Sequence, residues 1–503
     1  MHFKKLEPLF NSRKKYILQI IIACVSMVLA GMAWSASDKC LTHQTNNTFA
    51  KLEVCLTLEN LVGHLKELQH HADMNTTIPG TRFMGTSGYE ASKKYIINKL
   101  ETAGYDVMLQ TVPVTLTYIT KPRIFEQISP SKKIFSDDID YAPFVGSGEG
   151  EVTANVQMPI NSIGCFSTDF VNFTKGNIAL LSMGQCTTST KINNAAAAGA
   201  KAVIIANNNP GIFYIGFTPT PIDNMPSLFV SAEVGKMLRD TIMLGTLPQV
   251  HIKFNAIQMK TMSENIIAES REGDANHVVM VGAHLDSSAG NAGINDNGSA
   301  AAAVLEIALL MQDIKPVNTL RFAWWTGEEL GLLGSTYYMT HLNNSEKAKI
   351  ALYLNYEILG APNGARLIMG TKLGVTSPGS EKITETYVNY FKQQGLKYFV
   401  FDPSMGDAGK RSDMRAFMEA GIPVGYLVSG ADIPWNPLLS DIFTDLPNRT
   451  NGLAMHPCYH KLCDKLTMID NSISDPNFDF DLYLQMSKAA AFAIYSYAMN
   501  TNN

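Results

Sequence analysis

Basic residues do not outnumber acidic ones in this chain: 40 Lys and Arg stand against 45 Asp and Glu in 503 residues. Nothing in it resembles a basic nucleic-acid face or a polybasic membrane patch, so neither partner is expected. Cysteine is scarce, seven in all, and no two cysteine pairs share finger-like spacing. That argues against a zinc site built from thiolates. No long repeat and no low-complexity segment occurs, which sets repeat architectures aside.

What is present begins with a targeting signature. Lys4, Lys5, Arg13, Lys14 and Lys15 precede an apolar run from Tyr16 to about Trp34, followed by small residues. This reads as a secretory signal peptide, residues 1–35, cleaved after Ser35 or at the neighbouring Ala36. A retained membrane anchor and a lipoprotein attached at Cys24 are the weaker readings. Export to a periplasm or out of the cell follows, without stable membrane association. The remaining chain has 35 basic and 44 acidic residues, a net charge of −9. Its six cysteines fall into neighbouring pairs, Cys40 with Cys55, Cys165 with Cys186 and Cys458 with Cys463. In an oxidising compartment this suggests three local disulfides, with free buried thiols as the alternative.

The length implies two domains plus processing segments. The stretch His284 to Glu329 organises the rest. His277–Ala283 and Leu320–Trp325 read as buried strands, and Ser299–Gln312 between them as a helix. Strand, helix, strand implies a parallel pair with a crossover, and functional groups gather at the carboxyl ends of such strands. Upstream, helices are expected over Leu56–Gln69 and Tyr89–Ala103, with His64, His70 and His71 on a solvated face of the first, then a strand over Tyr105–Leu116. From Tyr141 to Lys260 the texture shifts to short β-like runs with one small helix, Asn193–Gly199. This reads as an inserted module without an acid and His cluster. The α/β texture then resumes through Ile350–Tyr356, Ser380–Gln394, Ile422–Val428 and a final helix, Phe478–Met499.

Five nitrogen and oxygen donors, His284, Asp296, Glu329, Glu357 and His460, fall at predicted strand ends or in the loops after them, a set that suits zinc without sulfur. One metal takes three or four ligands. Five suggest two metals sharing a carboxylate, about 3.5–4 Å apart. Asp296, in an Asn-Asp-Asn-Gly turn, could bridge them. Asp286 could orient His284 by accepting its other ring proton. Of the adjacent Glu328 and Glu329, one can ligate while the other moves a proton. Tyr459 could donate to an oxyanion. His456 competes with His460 as a ligand, although Pro457 disfavours a regular helix across the pair. Tyr426, Leu427, Ile433 and Trp435 could wall an apolar pocket or belong to the core.

These motifs resemble the di-zinc exopeptidases of the secreted bacterial leucyl aminopeptidase type. They are His284-x-Asp286, Gly293–Gly298 around Asp296, Gly327-Glu328-Glu329-x-Gly331, Asn355-x-Glu357, Arg411-Ser412-Asp413 with Gly421-Ile422-Pro423, and Cys458-Tyr459-His460 with Cys463. Residues Gly164–Asn207 resemble a protease-associated (PA) domain. The resemblance implies a three-layer α/β/α peptidase domain with a mixed, mostly parallel sheet, in two parts (36–140 and 261–503) around a small β-rich PA insert (141–260). It implies two zinc ions per chain. His284, Asp296 and Glu357 would hold one, and Asp296, Glu329 and His460 the other, with Glu328 as general base and Arg411 holding the substrate terminus. Many relatives carry Asp at the position of Glu357. The expected activity is removal of N-terminal, apolar residues from peptides with a free N-terminus, by a monomer. A carboxypeptidase or glutaminyl cyclase of the same clan and a non-catalytic, receptor-like chain are the alternatives.

Overall fold

A computed structural model describes residues 40, 47–144, 147–186, 188–208, 225–372, 374–404, 411–446, 448–467 and 475–500. The expected signal peptide lies outside them. Among the described residues no helix is long and apolar enough to cross a membrane.

Among the described residues the first long elements are the helices α1 (Phe49–Cys55), α2 (Leu58–Asp73) and α3 (Ser87–Thr102). Each is capped by a threonine, Thr48, Thr57 or Thr86, whose side chain accepts a backbone N–H of the first turn. There follow β1 (Asp106–Ser129), β2 (Lys133–Ile134), β3 (Tyr141–Pro143), β4 (Gly150–Gln157), β5 (Ile178–Ser182), α4 (Thr188–Ala197), β6 (Ala202–Ala206), β7 (Ser227–Val230), α5 (Ala232–Met243) and β8 (Gln249–Glu269). The remainder is β9 (Asp274–His284), α6 (Ala300–Leu310), β10 (Asn318–Trp325), α7 (Leu333–His341), α8 (Asn344–Lys349), β11 (Ile350–Glu357), β12 (Leu367–Met369), α9 (Ser380–Gln393), β13 (Phe399–Phe401), α10 (Met414–Glu419), β14 (Val424–Val428), α11 (Pro437–Ile442) and α12 (Phe480–Met499).

A mixed sheet in the order β1-β8-β10-β9-β11-β14-β12-β13 forms the main body, with β10, β9, β11 and β14 mutually parallel. Its central strands are apolar on both faces, as strands covered by helices on both sides must be. Alternation decides which layer each residue joins. Val279, Val281, Leu320, Phe322, Trp324, Leu352 and Leu354 enter the core with α1, α2, α3, α6, α9 and α12. Met280, Ala323, Trp325 and Tyr353 enter the opposite core with α7, α10 and α11. The expected three layers are thus present.

The sheet continues into the insert through β1 and β8, paired antiparallel from Asp106 opposite Glu269 to Ser129 opposite Gln249. One end of β8 pairs with β10 and the other with β4, which starts the second sheet, β4-β5-β6-β7-β3. The strand expected to stop at Leu116 therefore runs to Ser129, because pairing with β8 satisfies its backbone whatever the side-chain pattern. The small helix ends earlier than expected, before Gly199 at φ 87°. The solvated-face reading of the α2 histidines holds for His70 and fails for His64. His64 is buried, with Nδ1 2.7 Å from the Tyr95 hydroxyl and Nε2 3.0 Å from Glu306 on α6. All three expected disulfides are formed, with Cα–Cα distances of 5.5, 5.8 and 5.3 Å.

Candidate metal centre

Parallel pairing sets the C-terminal ends of β9, β10 and β11 side by side, Trp325 opposite His284 and Asn355 opposite Gly282. His284 ends β9, Glu357 ends β11, and Glu328 and Glu329 occupy a 3-10 turn just past β10. The chain bends there at Gly327, φ 66°, where a Cβ would stand 2.6 Å from Met84 Sδ. Glycine answers both constraints. The two carboxylates diverge: Glu328 Oε2 lies 3.8 Å from His284 Nε2, and Glu329 Oε2 lies 3.0 Å from His460 Nε2.

Asp296 reaches the same place from the loop between β9 and α6, entered through Gly293 at φ 59°. Its Oδ1 stands 3.3 Å from His284 Nε2 and its Oδ2 3.0 Å from His460 Nε2, so one carboxylate turns an oxygen toward each of two imidazoles. His460 adopts φ 53°, left-handed for a side-chain-bearing residue, inside the small loop closed by Cys458–Cys463.

Two donor sets result. The ligand atoms of His284, Glu328 and Glu357 lie within 4.8 Å of one another, as do those of Asp296, Glu329 and His460. All six residues are buried. His284 Nε2, both Asp296 oxygens and Glu329 Oε1 are buried with no hydrogen-bond partner. Lone pairs facing each other out of water are costly unless a cation sits among them, so this nitrogen and oxygen set fits a zinc-type site. Without a cation, burial pushes Glu329 up to about 7, and it lifts Glu328 well above and Glu357 above the usual carboxylate range. Burial opposes ionisation of Asp296 too, but the two imidazoles outweigh it and hold that carboxyl below its usual value. Burial works against His460 as a cation, yet Glu329 and Asp296 raise it to about 10. A dication reverses this balance by favouring carboxylate and neutral imidazole.

The supporting groups differ in part from expectation. His284 Nδ1 lies 3.0 Å from the backbone carbonyl of Asp286, whereas the Asp286 carboxylate is 3.8 Å away. That carboxylate instead accepts the backbone N–H groups of Glu328 and Glu329, at 3.2 and 3.3 Å. Tyr426 donates to Glu357 at 2.9 Å, and Leu427 and Trp435 are core residues, which leaves Ile433 as the one exposed member of the proposed apolar wall. Tyr459 stacks on His460 at 3.8 Å between centroids, and Arg411 approaches the Tyr459 hydroxyl and Asp432 at 3.5 Å each. His456 is buried 3.4 Å from Asp464 and is a member of neither donor set. Sequence reasoning missed Asp464, whose carboxylate accepts the N–H groups of Asn295 and Asp296. It also missed Arg82, which donates to the carbonyls of Leu285, Ala292 and Gly293. Neither carries a local signal, because their partners lie 168 to 211 residues away.

The signature of peptidase family M28 matches residues 265–484 and that of the PA domain residues 149–238. An aminopeptidase from Pseudomonas aeruginosa is 35% identical over 444 residues, covering 84% of this chain and 80% of its own length. A probable leucine aminopeptidase 2 from Arthroderma benhamiae is 30% identical, covering 88% and 84%. Among solved structures, an aminopeptidase from Aneurinibacillus sp. superposes with a TM-score of 0.65 at 21% identity, over 92% of this chain and 96% of its own. A zinc aminopeptidase from Bacillus subtilis gives 0.62 at 23%, over 89% and 97%. These last two share the fold.

Proposed function

The chain belongs to peptidase family M28 and is a metallo-aminopeptidase with a PA domain, and we propose that it is an exported enzyme that uses two zinc ions to remove apolar residues from the free N-termini of peptides. The observation that carries this reading is Asp296, a buried carboxylate with one oxygen toward each of two histidines in separate donor sets. The zinc aminopeptidase among the structural neighbours supports the metal, and the leucine aminopeptidase relative supports the apolar preference.

In this reading His284, Asp296 and Glu357 hold one ion, and Asp296, Glu329 and His460 hold the other. Bound zinc supplies Lewis acidity, lowering the pKa of water and polarising the scissile carbonyl. Glu328, left unligated, accepts the proton of the attacking water and returns it to the departing amine. Tyr459 donates to the carbonyl oxygen as negative charge develops there. Arg411 helps to hold the substrate terminus. Residues 36–140 and 261–503 form the peptidase domain and 141–260 the insert, in a monomer, after loss of residues 1–35.

Purified mature protein with zinc restored is expected to release nitroaniline from leucyl-p-nitroanilide and to leave the N-acetylated substrate intact. Equal or greater cleavage of the acetylated form, or no cleavage of either, overturns the reading.

A further inference from the structure

The loop that carries Asp296 is gripped from two sides by groups of opposite charge. Arg82, fully buried just before α3, donates to the carbonyls of Ala292 at 2.9 Å and Gly293 at 2.7 Å. Asp464, 2% exposed, accepts the N–H groups of Asn295 at 2.8 Å and Asp296 at 3.0 Å. Asp464 directly follows Cys463, so it is tied to the disulfide-closed loop of His460. His456, fully buried on the other side of that loop, stands 3.4 Å from Asp464 Oδ2. An ionised carboxylate accepting backbone N–H groups makes charge-assisted bonds, stronger than neutral ones, and burial raises what their loss costs.

We propose that Asp464 is the positioning residue for the metal-bridging carboxylate. It ties the backbone of Asp296 to the loop of His460, so that the short Asp296 side chain keeps one oxygen on each metal position. The inference rests on the two-zinc reading. Asp296 has only two side-chain torsions, so a rotation of its backbone moves both oxygens together. An asparagine at 464 would turn an NH2 toward one of the two N–H donors and release that amide. One amide would stay held and Arg82 would keep its two carbonyls, so the backbone of Asp296 would lose half of its tie to the loop of His460.

Cobalt(II) titration of the metal-free mature enzyme, followed by visible absorption and EPR, tests this. The native protein should take up two equivalents, the second broadening or quenching the signal of the first through the shared carboxylate. Asp464→Asn should bind the first equivalent, weaken the second by about 10–100-fold and lose the spin coupling. Its kcat should fall, with KM held within about twofold. Uptake of a single cobalt by the native protein overturns the two-metal reading and this inference with it. A coupled pair in the native protein and the same coupled pair at the same affinity in Asp464→Asn overturns the inference alone. If that variant does not fold, hydrogen exchange on the native protein decides: the Asn295 and Asp296 amides should be protected before metal is added. Free exchange that stops only on metal binding overturns the proposal.

Discussion

Glu328 is placed by its backbone. Its N–H, with that of Glu329, is held by the buried Asp286 carboxylate, which sets the side chain 3.8 Å from His284. Glu328→Ala is therefore expected to lower turnover about 10²–10⁴-fold while zinc content by atomic absorption stays at the native value. Asp286→Ala should act differently. It frees both N–H groups of the turn that carries the proposed ligand Glu329 and the proposed base Glu328, so both metal affinity and kcat are expected to drop, affinity by about 10–100-fold in competition with a chromophoric chelator. The candidate donors were legible in the sequence, since His284 and Glu357 end strands that apolar runs reveal and Glu329 lies in the turn just past one. The fine division of roles was not. Asp286 reads locally as the partner of the His284 ring, yet its carboxylate reaches across to the turn after β10, a contact only the parallel pairing of β9 and β10 creates.

Elements meet at the site through two tight turns. At Gly293, φ 59°, an added Cβ would lie 2.4 Å from the Asp296 carbonyl oxygen and 2.5 Å from Ser287 Cβ. Gly293→Ala is expected to destabilise the fold by about 1–3 kcal/mol in urea unfolding, from strain at positive φ and from overpacking. The same shift should weaken metal binding, because Asp296 is part of the obstruction. The disulfide Cys458–Cys463 closes the loop in which His460 takes its left-handed backbone. Cys458→Ser with Cys463→Ser should reduce metal occupancy while the rest of the sheet keeps its far-UV circular dichroism. Helices and strands of the main body follow their apolar periodicity closely. The β1 and β8 ribbon departs from it, since its long pairing is set by backbone hydrogen bonds between two distant segments.

Charge balance acts on the molecule as a whole. In the metal-free protein burial lifts Glu329 and Asp413 to about 7. A carboxyl raised in this way binds its proton more tightly when folded than when unfolded. Its contribution to stability is present below the unfolded value of about 4 and is lost as pH rises through about 7. The melting temperature of chelator-treated protein is expected to fall between about pH 5 and pH 8, and zinc added at the upper end should restore it, by about 2.7 kcal/mol at a hundredfold excess over Kd. A metal-free protein as stable at the upper end as at the lower would refute this balance. His64 and Glu306, buried together between α2 and α6, show the same rule met without metal: each finds a hydrogen-bonding partner across the helix interface.

The sequence by itself pointed to the layered α/β class, the cysteine pairs and the acids and histidines that the fold gathers into the two donor sets. Each of these is written in spacing along a few residues: apolar alternation, neighbouring thiols, acids and histidines after buried strands. Only the tertiary structure decided that Asp296 turns its two oxygens toward two histidines, that Asp286 braces the Glu328 turn, and that Arg82 and Asp464 clamp one loop from opposite sides. Those contacts join segments far apart in the chain, and their strength comes from burial and direction, which no local pattern contains.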